Sequence, residues 1–96
     1  MRVMISQPMK GKSVEQIRDE RAKLVEELEA DGHEVVDTIF GDPPKTENIA
    51  LWCLGKSLEA MSEVDAVYFM SGWKDARGCR IEHLRCVDYD VTILKD

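Results

Sequence analysis

At 96 residues, 44% apolar and 33% charged, the chain has the size and composition of one folded domain, 1–96, with a modest core. Its net charge of −6 argues against a nucleic-acid polymer or an anionic membrane surface as partner, so any phosphate-bearing ligand needs a local site that works against the global field. No apolar run approaches the roughly 20 residues of a membrane span, and "MRVMISQPM", with one charge and a proline, does not read as a signal peptide.

"RVMIS", residues 2–6, reads as a short buried strand, followed by the turn "QPMKGKS". Ser13 opens a helical stretch, with Gln16 completing a capping box and Gly32 as the stop. Val14, Ile17, Leu24, Val25 and Leu28 fall on one stripe at helical spacing, with charges on the opposite face. "HEVVDTIF" is a second strand candidate, closed by the turn "GDPPK". "ENIALWCLGKSLEAMSEV" returns to helical periodicity through Ile49, Trp52, Leu58 and Met61, locally weakened by Gly55. "DAVYFM" is a third strand, apolar almost throughout, as expected where helices cover both faces. "GCRIEHLRCVDY" is a short helix and "DVTILK" a last strand.

This β-α-β-α-β-α-β alternation predicts a parallel sheet with right-handed crossovers. The fold class expected is a small Rossmann-like or flavodoxin-like three-layer α/β/α sandwich with a four-stranded, mostly parallel sheet. Ligands in such folds sit at the carboxyl ends of the strands, where strand order reverses. Two loops therefore matter most: "SQPMKGKS" after the first strand and "SGWKDARG" after the third.

Gly11-Lys12-Ser13 invites a P-loop reading, but the pattern needs glycine where this chain has Ser6, and Pro8 removes a backbone donor. No later strand ends in an acidic residue to hold magnesium. The amides at the helix start can still favour an anion, and Ser13 serves as a cap in any case. Glu82 falls in the first turn of the third helix as the sequence is read, four residues after Gly78. The helix dipole alone would favour an acid there, yet Ile81 and Leu84 leave it little free surface, and Gly78 permits close approach by a ligand. Trp73, beside a glycine at the strand ends, is placed either to pack or to stack on a base or sugar. Asp75 and Arg77 read as solvated charges. His83 points about 100° away from Glu82 on a helix and is no catalytic partner for it. His33 and His83 lack the acidic spacing of a metal site, and neither a metal nor any other cofactor is expected. Cys53, Cys79 and Cys86 have neither disulfide-framework nor zinc spacing. Reduced thiols in the cytoplasm are the default, with Cys79 and Cys86 on one helical face in the core.

With those residues in view, "MRVMISQPMKGKS" resembles the opening of the nucleoside 2-deoxyribosyltransferase superfamily, a first strand running into a Ser-x-Pro-Met-type loop. "VDAVYFMSGWKDARGCRIEH" resembles its second signature, a strand, then Gly-Trp, then a Gly-x-x-x-Glu helix start. The likeness spans nearly the whole chain and is closest to a branch of small bacterial and phage proteins. It implies that Glu82 is a nucleophile attacking the anomeric carbon of a (deoxy)ribose, with Asp75 the nearest candidate acid. Ser6, Pro8 and Met9, with Gly11, would line the base and sugar pocket. Ser71, Gly72 and Trp73 would form the facing wall, and Gly78 would allow close approach beside the nucleophile.

The resemblance also implies a small-molecule nucleoside or nucleotide as partner, and a homo-oligomer in which a neighbour completes the site. Ala76 departs from the branch's usual serine, and Cys79 and Cys86 stand where smaller residues are usual. The function expected is nucleoside or nucleotide binding with N-glycosidase or deoxyribosyl-transfer chemistry. The alternatives are a non-catalytic module for a nucleotide-like ligand and a partner-binding protein with a vestigial pocket.

Overall fold

A computed structural model describes residues 1–96 except 42, 46 and 47. The expected turn at 41–45 and helix opening at 47 therefore lie partly outside the described residues. The elements in chain order are β1 (Arg2–Ser6), α1 (Val14–Ala30), β2 (Glu34–Val36), α2 (Ile49–Met61), β3 (Ala66–Phe69), α3 (Arg77–Asp88) and β4 (Thr92–Lys95), with a 3-10 turn at Trp73–Asp75. The sheet order is β2-β1-β3-β4, and every pairing is parallel. The expected three-layer Rossmann-like sandwich is the fold observed, and its sheet is parallel throughout.

Alternation along the strands builds the three layers, because successive side chains of a strand point to opposite faces. Val3 and Ile5 of β1, with Ala66 of β3, pack on Leu24 and Leu28 of α1. Met4, Val67 and Phe69 face the other way, onto Met61 at the end of α2 and Cys86 of α3. Ser6 shares the parity of Met4, so its hydroxyl is directed toward the α3 side.

α1 starts as its sequence demands. Gln16 N–H donates to Ser13 Oγ at 3.1 Å, and Ser13 N–H donates to Gln16 Oε1 at 2.8 Å. The stripe read from the sequence holds for Ile17, Leu24 and Leu28, which are buried, and for half-buried Val25, but Val14 is 62% exposed. Ile49, at the start of α2, is likewise exposed. Each is the first residue of its helix and lies ahead of the residues of that helix that pack in the core. β2 is shorter than "HEVVDTIF" suggests. Thr38 leaves the ladder and uses its hydroxyl to donate to Ile5 O at 3.4 Å.

Candidate functional site

β1 lies between β2 and β3, so the chain leaves β1 toward β2 and later returns to β1's other side. The strand order reverses at that point, and in this architecture it opens a crevice at the strands' carboxyl ends. Ser6 and Phe69, the last residues of β1 and β3, are paired in register, so the loops following them leave side by side. They touch: a Cβ on Gly72 would stand 3.7 Å from Pro8 Cγ. Gly72 has φ of +90°, a left-handed conformation that favours glycine at this junction.

Between these loops, α2 and the start of α3 lies a cleft of about 920 Å³. Ser6, Pro8, Met9, Gly72, Asp75, Gly78 and Glu82 all contribute to its walls. Gly11 and Ser71 do not, and both are exposed. Trp73 is also absent from the walls. Its ring stacks on His83 at 4.1 Å and packs at 5.4 Å against Phe69, so it faces the core rather than the cleft. His83 is held on its far side by Asp96 at 3.0 Å, and it is turned away from the cleft as helical geometry requires. Asp75 is exposed on the wall.

Glu82 is the sixth residue of α3, which begins at Arg77; it therefore lies in the second turn, and the helix dipole does not account for it. Its place comes from periodicity. Cys79, Glu82 and Cys86 form the buried stripe of α3 at i, i+3 and i+7, so the carboxylate occupies a core position. It is 8% exposed, and Oε2 is buried without a hydrogen-bond partner among the described residues. Burial raises its pKa, partly offset by the nearby Ser6 hydroxyl and by the charge of Arg21. Ser6 lies close enough to favour the charged form. Its Oγ nevertheless makes no well-formed hydrogen bond among the described residues and is itself buried. The thiols beside Glu82 are held protonated: burial, reinforced by the Glu82 charge, pushes Cys86 up to about 11. Cys79 is also raised by burial, against the opposing effect of Ser6.

The sequence reading missed the other half of this polar floor. Arg21 of α1 is 5% exposed and reaches over the end of β1. Its Nε donates to Gln7 Oε1 at 3.0 Å and its Nη1 to Thr38 Oγ1 at 2.8 Å. Gln7 is anchored in turn by donating to Ile17 O at 3.0 Å. The signal was available in the sequence: Ile17, Arg21, Leu24 and Leu28 share one helical stripe, which places the arginine among core residues.

A family model for a domain of unknown function, DUF4406, matches residues 1–94. The chain belongs to that family. No curated protein matches it.

For this DUF4406 chain the cleft's electrostatics run against the molecule's. Lys10, Arg21, Arg77 and Arg80 line it, against Asp75 and Glu82, while the chain as a whole carries −6. The start of α3 adds to this. Ala76 offers no side-chain cap and no acid stands in the first turn, so the helix's positive end meets the cleft without a capping side chain of its own. A Cβ on Gly78 would meet nothing within 4 Å, which leaves open space beside Glu82. Among the described residues, no three His, Cys, Asp or Glu side chains gather as a metal set, and no helix is long and apolar enough to cross a membrane. A second depression of about 620 Å³ lies between α1 and β2; buried Arg21 borders it as well as the cleft, and the other charges on its walls, Arg18, Glu26, Glu29 and Asp37, are exposed and solvated.

Proposed function

We propose that this protein binds a nucleoside or nucleotide in the cleft and cleaves or transfers its N-glycosidic bond through Glu82, as a member of a nucleoside 2-deoxyribosyltransferase-like superfamily. The observation that carries the reading is the unpartnered carboxylate oxygen of Glu82, buried at a core position and lining a cleft that has open space beside it. A buried, poorly solvated carboxylate is a costly feature for a fold to keep and a good nucleophile for an oxocarbenium-like carbon. In the step proposed, the ionised carboxylate attacks the anomeric carbon and the bond to the base nitrogen breaks. The base leaves with a proton taken from water in the open cleft, with the Asp75 carboxylate on the wall placed to relay it. Water or a second base then displaces the sugar and restores the carboxylate. The cationic wall formed by Lys10, Arg77 and Arg80 supports a phosphorylated sugar as the ligand class.

A second reading, ligand binding without turnover, is favoured by one particular: Asp75 is exposed and Ala76 lacks a hydroxyl, so the site has a nucleophile but no buried acid. Oligomeric assembly belongs to the same proposal. Leu84, Val87 and Tyr89 leave an exposed apolar strip on and just after α3 that supports it.

The deciding experiment is chromatographic detection of free base after incubation with a panel of deoxynucleosides and nucleoside monophosphates, beside Glu82→Gln. Base released by wild type and lost in the variant supports glycosyl chemistry. Stoichiometric binding with no base over long incubation selects the second reading.

A further inference from the structure

Arg21 is a fixed, buried cation whose third nitrogen has no assignment. Nε and Nη1 are committed to Gln7 and Thr38, at 3.0 and 2.8 Å, while Nη2 is buried without a partner among the described residues. Glu82 Oε2 and Ser6 Oγ, on the same cleft's walls, are buried and equally unpartnered. Arg21 comes from the layer on one face of the sheet and Glu82 from the other. They converge over the end of β1 without forming an ion pair. A guanidinium held this way is an expensive arrangement for stability alone, since one donor stays unused and α1 could place leucine at that stripe position. We infer that Arg21 is a positioning residue of the glycosyl-transfer site: a cation clamped by Gln7 and Thr38 at the end of β1, whose charge stands over the cleft onto which the Glu82 carboxylate opens.

The purpose of this assignment depends on the function proposed above; its physics does not. The charges that face Glu82 decide the matter, because each layer contributes. Its own helix supplies the thiols of Cys79 and Cys86, both raised and so uncharged near neutral pH. The mouth supplies Lys10, Arg77 and Arg80 with Asp75, and all of these are exposed and screened by water. α2 contributes Cys53 and Ser57 to the opposite wall, neither of them a cation. Asp37 acts on Arg21, holding it charged against its own burial. Among the described residues, Arg21 is therefore the buried cation that acts on Glu82, and it does so together with the Ser6 hydroxyl, whose effect is the larger.

The test follows the Glu82 carboxyl carbon by NMR in protein labelled with ¹³C-glutamate, the signal being assigned by its loss in Glu82→Gln. Arg21→Met should move the titration midpoint upward, and Arg21→Lys, which keeps a charge, should bring it back toward wild type. If base release is measurable, the acidic limb of its pH profile should move the same way. A midpoint unmoved by Arg21→Met overturns the inference. Should Arg21→Met prove too unstable to titrate, a thermal cycle at neutral pH decides. Its loss of Tm should be smaller in a Glu82→Gln background, and equal losses in both backgrounds overturn the inference. Absence of base release from wild type would count against the proposed function and leave both of these measurements standing.

Discussion

Replacing Gly78 with alanine separates what the fold wants at this position from what the site wants. Gly78 is the second residue of α3, with helical backbone, and a methyl built on it meets no atom within 4 Å. The substitution therefore adds no overlap. Glycine within a helix costs roughly 0.5–1 kcal/mol relative to alanine, and the first turn should realise the lower part of that range. For a domain of this length, about 1 kcal/mol corresponds to roughly 4–8 °C in Tm, so a rise of about 2–4 °C is expected. The same methyl stands in the open space on the wall shared with Glu82. A ligand displaced by it from the carboxylate should react on the order of 10- to 100-fold more slowly. Thermal melts and base-release kinetics on one preparation read both effects. A fall in Tm would mean that the space beside Gly78 is not open. A rise in Tm with unchanged kcat/KM would mean that no ligand approaches there, and the site assignment would fail with it.

Glu82→Gln should leave the protein more stable than wild type at neutral pH, because burial raises the carboxyl above its unfolded value of 4.5. A raised acid contributes stability below that value and loses it as pH climbs through the higher folded pKa. The Tm advantage of the variant should therefore shrink to nothing below about pH 4, and a constant advantage across the range would contradict this account. The thiols give an independent check on packing. Iodoacetamide at pH 8 should modify half-buried Cys53 first, while Cys86, pushed up to about 11, and Cys79 react only after denaturation. Peptide mass mapping reads the order, and native labelling of Cys86 as fast as Cys53 would refute it.

Much of the architecture could be read from residue spacing because it depends on local rules. β1 runs over 2–6 as expected, Ser13 and Gln16 cap α1, and the alternation of elements specified the sheet. The departures have local causes too. Val14 and Ile49 satisfy the helical period but, as the first residues of their helices, are left exposed, and Thr38 exchanges strand pairing for a side-chain bond. Trp73 could not be placed from sequence, because stacking on His83 depends on how α3 lies against β3, which no spacing encodes. Ser6, Pro8, Met9, Gly72 and Gly78 could be anticipated, since strand ends at a reversal of order locate a cleft in any fold of this class.

Arg21 and Glu82 carry the same lesson from the two sides of the sheet. On both helices the period that marks the core passes through a charged residue: Ile17-Arg21-Leu24-Leu28 on α1 and Cys79-Glu82-Cys86 on α3. A reading that assigns charges to the solvated face overlooks the first and explains the second by the helix dipole. Burying an ion costs several kcal/mol unless its hydrogen-bonding capacity is met, so a charge on a core stripe is a local conflict with foldability. Such conflicts concentrate at functional sites. Here both conflicts open on one cleft, each with an unpartnered polar atom, and the cations around them oppose the chain's overall charge of −6. That convergence is why the end of β1 is the place proposed for the chemistry. The exposed charges between α1 and β2, apart from Asp37, which acts on Arg21, are solvated and in no conflict with the core.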